Sequence, residues 1–518
     1  MPEGPAVARA ARPGVQRGQT LELTVEDLAF GGAGVSRVDG FVVFVENGLP
    51  GDRVLATVYR RRRQYAEARA TEILALSPAR VPATCTHVGI CGGCRLQALD
   101  YAEQLGHKER QVRECLAHLG RVAALVQPAV GAPRHFHYRN KMEYSFGRDP
   151  QGLLTLGLHR RGLFDRPFDL ERCHIATPVS SEIVAFVRDF ARQAGLAPYD
   201  LRRHTGLLRF LAVREAARTG QVMVNVVASE PHPALETLAA RLRERFPAVR
   251  SVLLNLTRRK AQVAVGEEER VLAGSPTILE RLHGLEFEIS SNSFFQTNTE
   301  QAERLLDVAL EGLALTGAET VLDLYSGTGT FTLPIARRAK EAIGIESSDV
   351  AVADAARSAA RNGITNVRFV RGEAMEELRD RFGLGRAPDG APPPRPPLDA
   401  VLVDPPRAGL HPGVVTRLIH LGAPRVVYVS CNPATLARDL GLLAESRYRV
   451  EWVRPVDMFP HTPHVEAVAV LARDEGLRPR TPSSRSRTPG SRRPPAPGHS
   501  RTPGSRRTAG GGRTSRTR

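Results

Sequence analysis

The sequence predicts an α/β protein with a doubly wound parallel sheet in the C-terminal half, a central α+β region and a small N-terminal β-barrel. Three observations carry this. From about residue 300, apolar runs of strand length alternate with helical periods, the pattern of a parallel sheet with helices on its faces. Residues 17–75 are short strands parted by turn signals, as in a small barrel. Residues 135–290 mix both patterns. At 518 residues and roughly 150 residues per domain, about three domains are expected. The expected divisions are 14–75, 76–290 and 291–475, followed by a tail over 476–518.

The barrel strands lie in LELTVEDLAF, FVVFVE and RVLATVYR, with turns at GGAG and LPGD. Arg60, Arg61, Arg62 and Arg63, near Tyr65, put positive charge at a strand end. That suits RNA binding or the protection of an edge strand. An amphipathic helix over 99–119 carries Cys115, read as a structural thiol. YRNKMEYSFG at 138–147 reads as a strand, and 207–229 as a hairpin about Thr219 and Gly220. Arg139, Asn140 and Lys141 are candidate RNA contacts. The C-terminal half then runs helix 300–315, strand TVLDLYSG, helix 330–339, strand EAIGIE, helix 349–361 and strand VRFVRG. After these come strand DAVLVDPP, helix 412–421, strand RVVYVSCN, helix 433–445 and a last strand, AVAVL. The proline-rich insert at 386–397 reads as a surface loop.

Composition excludes several classes. A hydrophobic content of 42% supports more than one core and rules out a wholly disordered chain. No run approaches the roughly 18 apolar residues of a membrane span. The N-terminus lacks an apolar signal core, so a cytoplasmic protein with no membrane partner is expected. Six unevenly spaced cysteines make no disulfide framework, and in a reducing compartment they read as metal ligands or nucleophiles. The net charge is +17, but twelve arginines and no Asp, Glu or Lys fall in 476–518, which leaves +5 on residues 1–475. The tail repeats SRTPGSRR and has almost nothing apolar to bury, so it is expected to be disordered and able to grip phosphate. With 68 Arg against 4 Lys, the arginine content reflects compositional bias more than a nucleic-acid signal.

Five constellations carry chemistry. In the first, Asp323, Tyr325, Gly327 and Gly329 follow a strand and open a helix, where glycines let the backbone approach a ligand. Glu346 ends the next strand, placed to accept hydrogen bonds from ribose hydroxyls. Phe331 and Thr332 stand where a dinucleotide site has its third glycine, which favours S-adenosylmethionine, a cofactor without pyrophosphate. In the second, Asp404, Pro405, Pro406 and Arg407 form a rigid polar lip at a later strand end. In the third, Cys431 ends a strand and precedes a helix that begins at Pro433. A helix N-terminus lowers a thiol pKa, so Cys431 is a candidate nucleophile. In the fourth, the loop from Asp457 through His461 and His464 leads to Glu466, a candidate general base. The fifth is Cys85, Cys91 and Cys94, with Cys173 later; four thiolates suit zinc or an iron–sulfur cluster, and spacing does not separate the two.

Taken in order, DLYSGTGTF, VDPPRAGL, VSCNPATLARDL and MFPHTPHVE resemble the RNA uracil-5-methyltransferase family, in its iron–sulfur branch acting on 23S ribosomal RNA. The resemblance runs over roughly residues 17–472. It implies a Rossmann-like, class I S-adenosylmethionine methyltransferase domain, an OB-like TRAM barrel at the N-terminus and an iron–sulfur central domain. It implies that Cys85, Cys91, Cys94 and Cys173 hold a [4Fe-4S] cluster. It also implies that Gln296 joins Tyr325, Glu346 and Asp404 in the cofactor pocket, with Cys431 as nucleophile and Glu466 as base. The expected partner is RNA, and the expected state is a monomer. The chemistry is self-consistent. A thiolate adding at C6 of uracil makes C5 nucleophilic, C5 takes the methyl group, and a base then removes the C5 proton and expels the thiolate. The target base has to be unstacked to admit the cysteine. Alternatives are methylation of the transfer-RNA T-loop, a non-catalytic iron–sulfur RNA-binding protein, and an amino-group methyltransferase. The last class carries Asn-Pro-Pro-aromatic where this chain has Asp404-Pro405-Pro406-Arg407.

Overall fold

The computed structural model describes residues 14–163, 165–260, 263–382 and 397–476. The arginine-rich tail after Gly476 and nearly all of the proline-rich insert lie outside the described residues.

The N-terminal sheet comprises β1 (Thr20–Thr24), β2 (Asp27–Leu28), β3 (Gly34–Val38), β4 (Phe41–Glu46), β5 (Arg53–Arg61) and β6 (Tyr65–Ala75), in the order β1-β5-β6-β4-β3-β2. The two ends of that order are halves of one continuous segment. Its first half pairs with β5 and its second with β3, joined by Val25 N to Asp52 O (2.9 Å) and Glu26 N to Val35 O (2.7 Å). Alternation drives the shape: Phe41, Val43 and Val45 of β4 point into a small core with Val54, Ala56, Val58, Ala66 and Ala68. Of the basic run, Arg60 pairs with Glu67 at 3.3 Å, Arg61 lies over the Phe41 ring, and Tyr65 meets Phe44 edge-on.

Next come α1 (Tyr101–Cys115), a π-helical turn (Leu116–Gly120) and the short strand β7 (Leu125–Val126). The central sheet follows. It contains β8 (Lys141–Arg148), β9 (Leu154–Gly157), β10 (Leu208–Ala216), β11 (Gln221–Ala228), β12 (Val249–Leu256) and β13 (Glu268–Gly274), ordered β13-β12-β11-β10-β8-β9. Helices α2 (Pro178–Gln193) and α3 (Pro233–Arg245) contribute to its core. A hairpin of β14 (Ile278–Leu282) and β15 (Leu285–Ile289) leads out of it.

The C-terminal sheet takes β16 (Thr320–Leu324), β17 (Glu341–Glu346), β18 (Val367–Arg371), β19 (Ala400–Val403), β20 (Arg425–Ser430), β21 (Tyr448–Val456) and β22 (Glu466–Arg473). Its helices are α4 (Thr299–Leu313), α5 (Thr332–Ala336), α6 (Asp349–Arg361), α7 (Ala374–Asp380), α8 (Pro412–Leu421) and α9 (Pro433–Ala444). The order is β18-β17-β16-β19-β20-β22-β21-β7. The central strands are apolar runs because both their faces are covered: one core includes residues of α4, α5 and the β14–β15 hairpin, the other residues of α1, α7, α8 and α9. Ser348 caps α6, its hydroxyl accepting from Ala351 N, and Gly422 ends α8 in the left-handed region.

Two expectations are corrected here. The sheet is not wholly parallel: β22 runs antiparallel to both β20 and β21. β20 feeds α9 and β21, and a loop rather than a helix returns the chain, so β22 re-enters from the opposite end. Asn140 is not a surface contact. It is 6% exposed, and its amide donates to Gln296 O (3.0 Å) and Thr299 Oγ1 (2.9 Å).

Candidate active site

Strand order reverses between β16 and β19, and in such sheets ligands bind beyond the carboxyl ends at the reversal. Tyr325, Glu346, Asp404 and Cys431 all stand at or just beyond the carboxyl ends of β16, β17, β19 and β20. The chain leaves β16 through Tyr325, whose φ of 68° is a left-handed conformation that a tyrosine holds only under local constraint. The constraint is visible: Tyr325 N and Ser326 N both donate to Ile345 O, at 2.9 and 3.0 Å. Gly327 and Gly329 also have positive φ. A Cβ on Gly329 would crowd the Phe369 ring at 3.1 Å, whereas one on Gly327 would meet nothing within 4 Å. The loop therefore presents open space directly over Gly327.

Glu346 is oriented by its backbone neighbours: Gly327 N donates to Oε2 (3.0 Å) and Ser348 N to Oε1 (2.9 Å). Asp323 is wholly buried, with Oδ2 accepting from Thr332 Oγ1 at 2.5 Å and Oδ1 without a partner. Burial pushes its carboxyl up to about 8, against the Thr332 hydrogen bond, with Asp404 and Glu346 adding to the rise. Ser326 Oγ is likewise buried and unpartnered. Unsatisfied buried polar atoms beside an open glycine turn fit a polar ligand such as the aminoacyl end of S-adenosylmethionine. The segment that carries Gln296 is pinned on several sides, one of them the glycine turn. Arg214 donates to Ser293 O (2.6 Å), Thr328 to Phe294 O (3.3 Å), and Asn298 to Met458 O (3.1 Å).

Cys431 and Glu466 meet through sheet register. Ser430 of β20 pairs with Ala467 of β22, so the next residues outward are Cys431 and Glu466. Burial pushes Glu466 up to about 8, and the Asp404 charge adds to this while Arg407 opposes it. Burial alone lifts Asp404 to about 7. Cys431 is pushed up to about 11, first by burial and then by Glu466, with Arg407 pulling it down by charge and a hydrogen bond. Burial and carboxylate charge thus oppose the acidification expected from the helix. Asn432 occupies the cap, its side chain accepting from Ala434 N at 3.1 Å.

Arg407 is the site residue that sequence reasoning left among the motif's neighbours. Its carbonyl accepts from Asn432 Nδ2 (3.0 Å), and its guanidinium donates to His464 Nδ1 (3.0 Å). Burial and this cation hold His464 down to about 4, so it stays neutral and accepts. Asp439 on α9 was also missed. Wholly buried, it accepts from Leu410 N and Tyr428 OH, both at 2.8 Å, and ties the Asp404–Leu410 loop to α9. A charged residue on the buried face of an apolar helix is the signal that marks it.

The four cysteines come from two separate segments to the edge of the central core, where Cys91, Cys94 and Cys173 pack on one cluster. All are free thiols. Burial raises Cys91, Cys94 and Cys173, and the charges of neighbouring thiols raise each further. Among the described residues, no group of three or more His, Cys, Asp or Glu is arranged as a ready metal shell, and that holds for His461 and His464 too. The four thiols are a soft donor set of a kind that zinc and iron–sulfur clusters both accept, with His87 Nδ1 3.8 Å from Cys85 Sγ. Cys115 lies against the core between α1 and α9.

A glycine-turn crevice at the reversal of a sheet with a reversed last strand defines a class I S-adenosylmethionine-dependent methyltransferase fold. Comparison with known proteins narrows this. The model of the tRNA (uracil-5-)-methyltransferase family matches residues 100–474, and that of the TRAM domain matches residues 14–71. An uncharacterized RNA methyltransferase of Halalkalibacterium halodurans is 38% identical over 460 residues, covering 88% of this chain and 98% of the relative. One of Chlorobaculum tepidum is 41% identical over 488 residues, covering 89% and 98%. The Pyrococcus abyssi tRNA (uracil-54, C5)-methyltransferase, solved in complex with S-adenosyl-L-homocysteine, superposes with a TM-score of 0.68 at 30% identity, over 87% of this chain and 99% of that one. The chain belongs to the tRNA (uracil-5-)-methyltransferase family and is an S-adenosylmethionine-dependent RNA uracil-5-methyltransferase with a TRAM domain. No helix among the described residues is long and apolar enough to cross a membrane.

Proposed function

We propose that the protein methylates C5 of a uridine in 23S ribosomal RNA, with Cys431 adding to C6 and Glu466 removing the C5 proton. The observation that carries this reading is the adjacency of Cys431 and Glu466 across the β20–β22 pair at the mouth of the crevice. Gln296, Tyr325, Gly327, Gly329, Glu346 and Asp404 hold the cofactor. S-adenosylmethionine, when bound, supplies an electrophilic methyl group. Glu346, already oriented by two backbone N–H groups, is set to accept ribose hydroxyls. Burial lifts the Asp404 carboxyl to about 7, so near neutral pH its protonated fraction is able to donate a hydrogen bond to a base carbonyl. Arg407 favours the charged forms of both Cys431 and Glu466. Arg407→Ala is therefore expected to cut kcat about 10- to 100-fold. It should also move the rising limb of the pH–rate profile to higher pH, because both groups act deprotonated and both lose a nearby cation.

The ribosomal target rests on the cysteine quartet. Cys85, Cys91, Cys94 and Cys173 are assigned to a [4Fe-4S] cluster that shapes the central domain. Anaerobically purified protein is expected to carry roughly four iron atoms per chain, absorb at roughly 400 nm, and lose both in Cys94→Ser. Stoichiometric zinc without iron overturns this assignment. A second reading, transfer-RNA methylation, is favoured by the similarity to the Pyrococcus abyssi enzyme. Assaying 23S and transfer-RNA transcripts side by side, and mapping 5-methyluridine in RNA from cells with and without the gene, decides between them. Methylation of transfer RNA alone excludes the ribosomal target.

A further inference from the structure

In chain order α1 precedes the central sheet, yet it lies against the catalytic end of the molecule and touches both halves of the reacting pair's support. Tyr101, Gln104 and Lys108 lie at spacings of three and four, so they share one helix face. All three grip the loop that leads to Glu466. Lys108 Nζ, 1% exposed, bonds Asp457 Oδ1 at 2.6 Å and Phe459 O at 3.0 Å. Tyr101 OH donates to Asp457 Oδ2 at 2.9 Å. Gln104, wholly buried, accepts from His461 N at 2.9 Å through Oε1, while its Nε2 donates to Leu99 O (2.7 Å) and to His461 Nδ1 (3.2 Å). His461 holds a left-handed φ of 67°, a conformation that needs such outside restraint.

The other end of the helix, with the π-helical turn that continues it, packs against α9. Val112 and Leu116 share a core with Leu436, Ala437 and Leu440 of α9, the helix that follows Cys431. The fit is at backbone distance: a Cβ on Gly120 would lie 2.5 Å from Ala437 O, and one on Gly441 would lie 2.7 Å from Gly120 O. A buried lysine–aspartate pair is a poor source of stability, since apolar residues of similar volume serve as well. What an apolar pair lacks is directional bonding to Phe459 O.

We propose that α1 is a splint that sets the position of Glu466 relative to Cys431, with Tyr101, Gln104 and Lys108 as positioning residues for proton removal. The proposal rests on Glu466 being the base. In that step Glu466 takes the C5 proton, the C5–H electron pair becomes the C5–C6 double bond, and the Cys431 sulfur–C6 bond breaks to release thiolate. A loosened base slows this last step and leaves protein covalently attached to methylated RNA.

The test compares Gln104→Ala, Tyr101→Phe and Glu466→Gln with wild type on whichever transcript, ribosomal or transfer, the wild type methylates. Denaturant-resistant protein–RNA adduct is measured together with kcat and KM. Leu242→Ala, in the core beneath the central sheet, controls for general destabilisation. The splint predicts a kcat loss of about 10-fold or more in Gln104→Ala with KM little changed. It also predicts adduct above wild type in Gln104→Ala and in Tyr101→Phe, which removes one hydroxyl and keeps the ring. Adduct that rises in Glu466→Gln but not in the α1 variants overturns the splint and leaves the base in place. Adduct that rises equally in Leu242→Ala also overturns it. Adduct that rises in none of them overturns the base assignment and the splint with it.

Discussion

Cys431→Ala is expected to abolish methylation, lowering the rate by at least about 10⁴-fold, or more than about 5 kcal/mol of barrier at 1.36 kcal/mol per decade. Uracil C5 is too electron-poor to attack a methyl group until a nucleophile saturates C6, and no other thiol stands at this strand end. The side chain is small and half-buried, so its loss opens little space and leaves the fold intact. RNA carrying 5-fluorouridine gives the sharper reading. Fluorine replaces the proton the base removes, so wild-type protein stalls as a covalent adduct, and Cys431→Ala forms none. Retained turnover, or an adduct mapped by mass spectrometry to another residue, defeats the assignment.

Glu466→Gln is expected to slow turnover by about 10²- to 10⁴-fold, the usual range for a general base, while leaving addition at C6 possible. The amide has the shape of the protonated carboxyl. Burial already lifts this group to about 8, and Asp404 pushes in the same direction, so a neutral side chain is well accommodated. The active form is the carboxylate. Wild-type rates should therefore gain a rise as pH passes through about 8, and Glu466→Gln should lose that component and keep only the thiol's rise toward about 11. A mutant that turns over normally, with the same pH profile as wild type, removes Glu466 from the mechanism.

Legibility from sequence followed burial on both faces. Strand EAIGIE and helices 349–361 and 412–421 coincide with β17, α6 and α8. Buried parallel strands are uninterrupted apolar runs, and those helices carry Ser348 at one start and Gly422 at one end. β21 was not foreseen, because Arg449, Glu451, Arg454 and Pro455 interrupt its apolar residues. β6 was missed because small and charged residues alternate there without a clear apolar period. The helix expected over 330–339 shrank to Thr332–Ala336. Within the site, Cys431 and Glu466 were legible as strand-end residues with chemistry. Lys108 had a faint signal of its own, as one of four lysines in a chain that otherwise uses arginine.

Residue types at strand ends settle from sequence alone which groups are available: one thiol after β20, carboxylates at the end of β17 and after β19, and glycines where the backbone turns after β16. These are local properties, set by periodicity and by φ, and a linear reading reaches them. Tertiary structure decided how the groups act on one another. The reversal of β22 brings Glu466 beside Cys431, and burial together with like charge raises both groups where a helix terminus alone would lower the thiol. Three side chains of α1 then lock a loop about 350 residues away in sequence. Register, desolvation and long-range hydrogen bonding depend on which segments meet, and that is fixed only when the whole chain has packed.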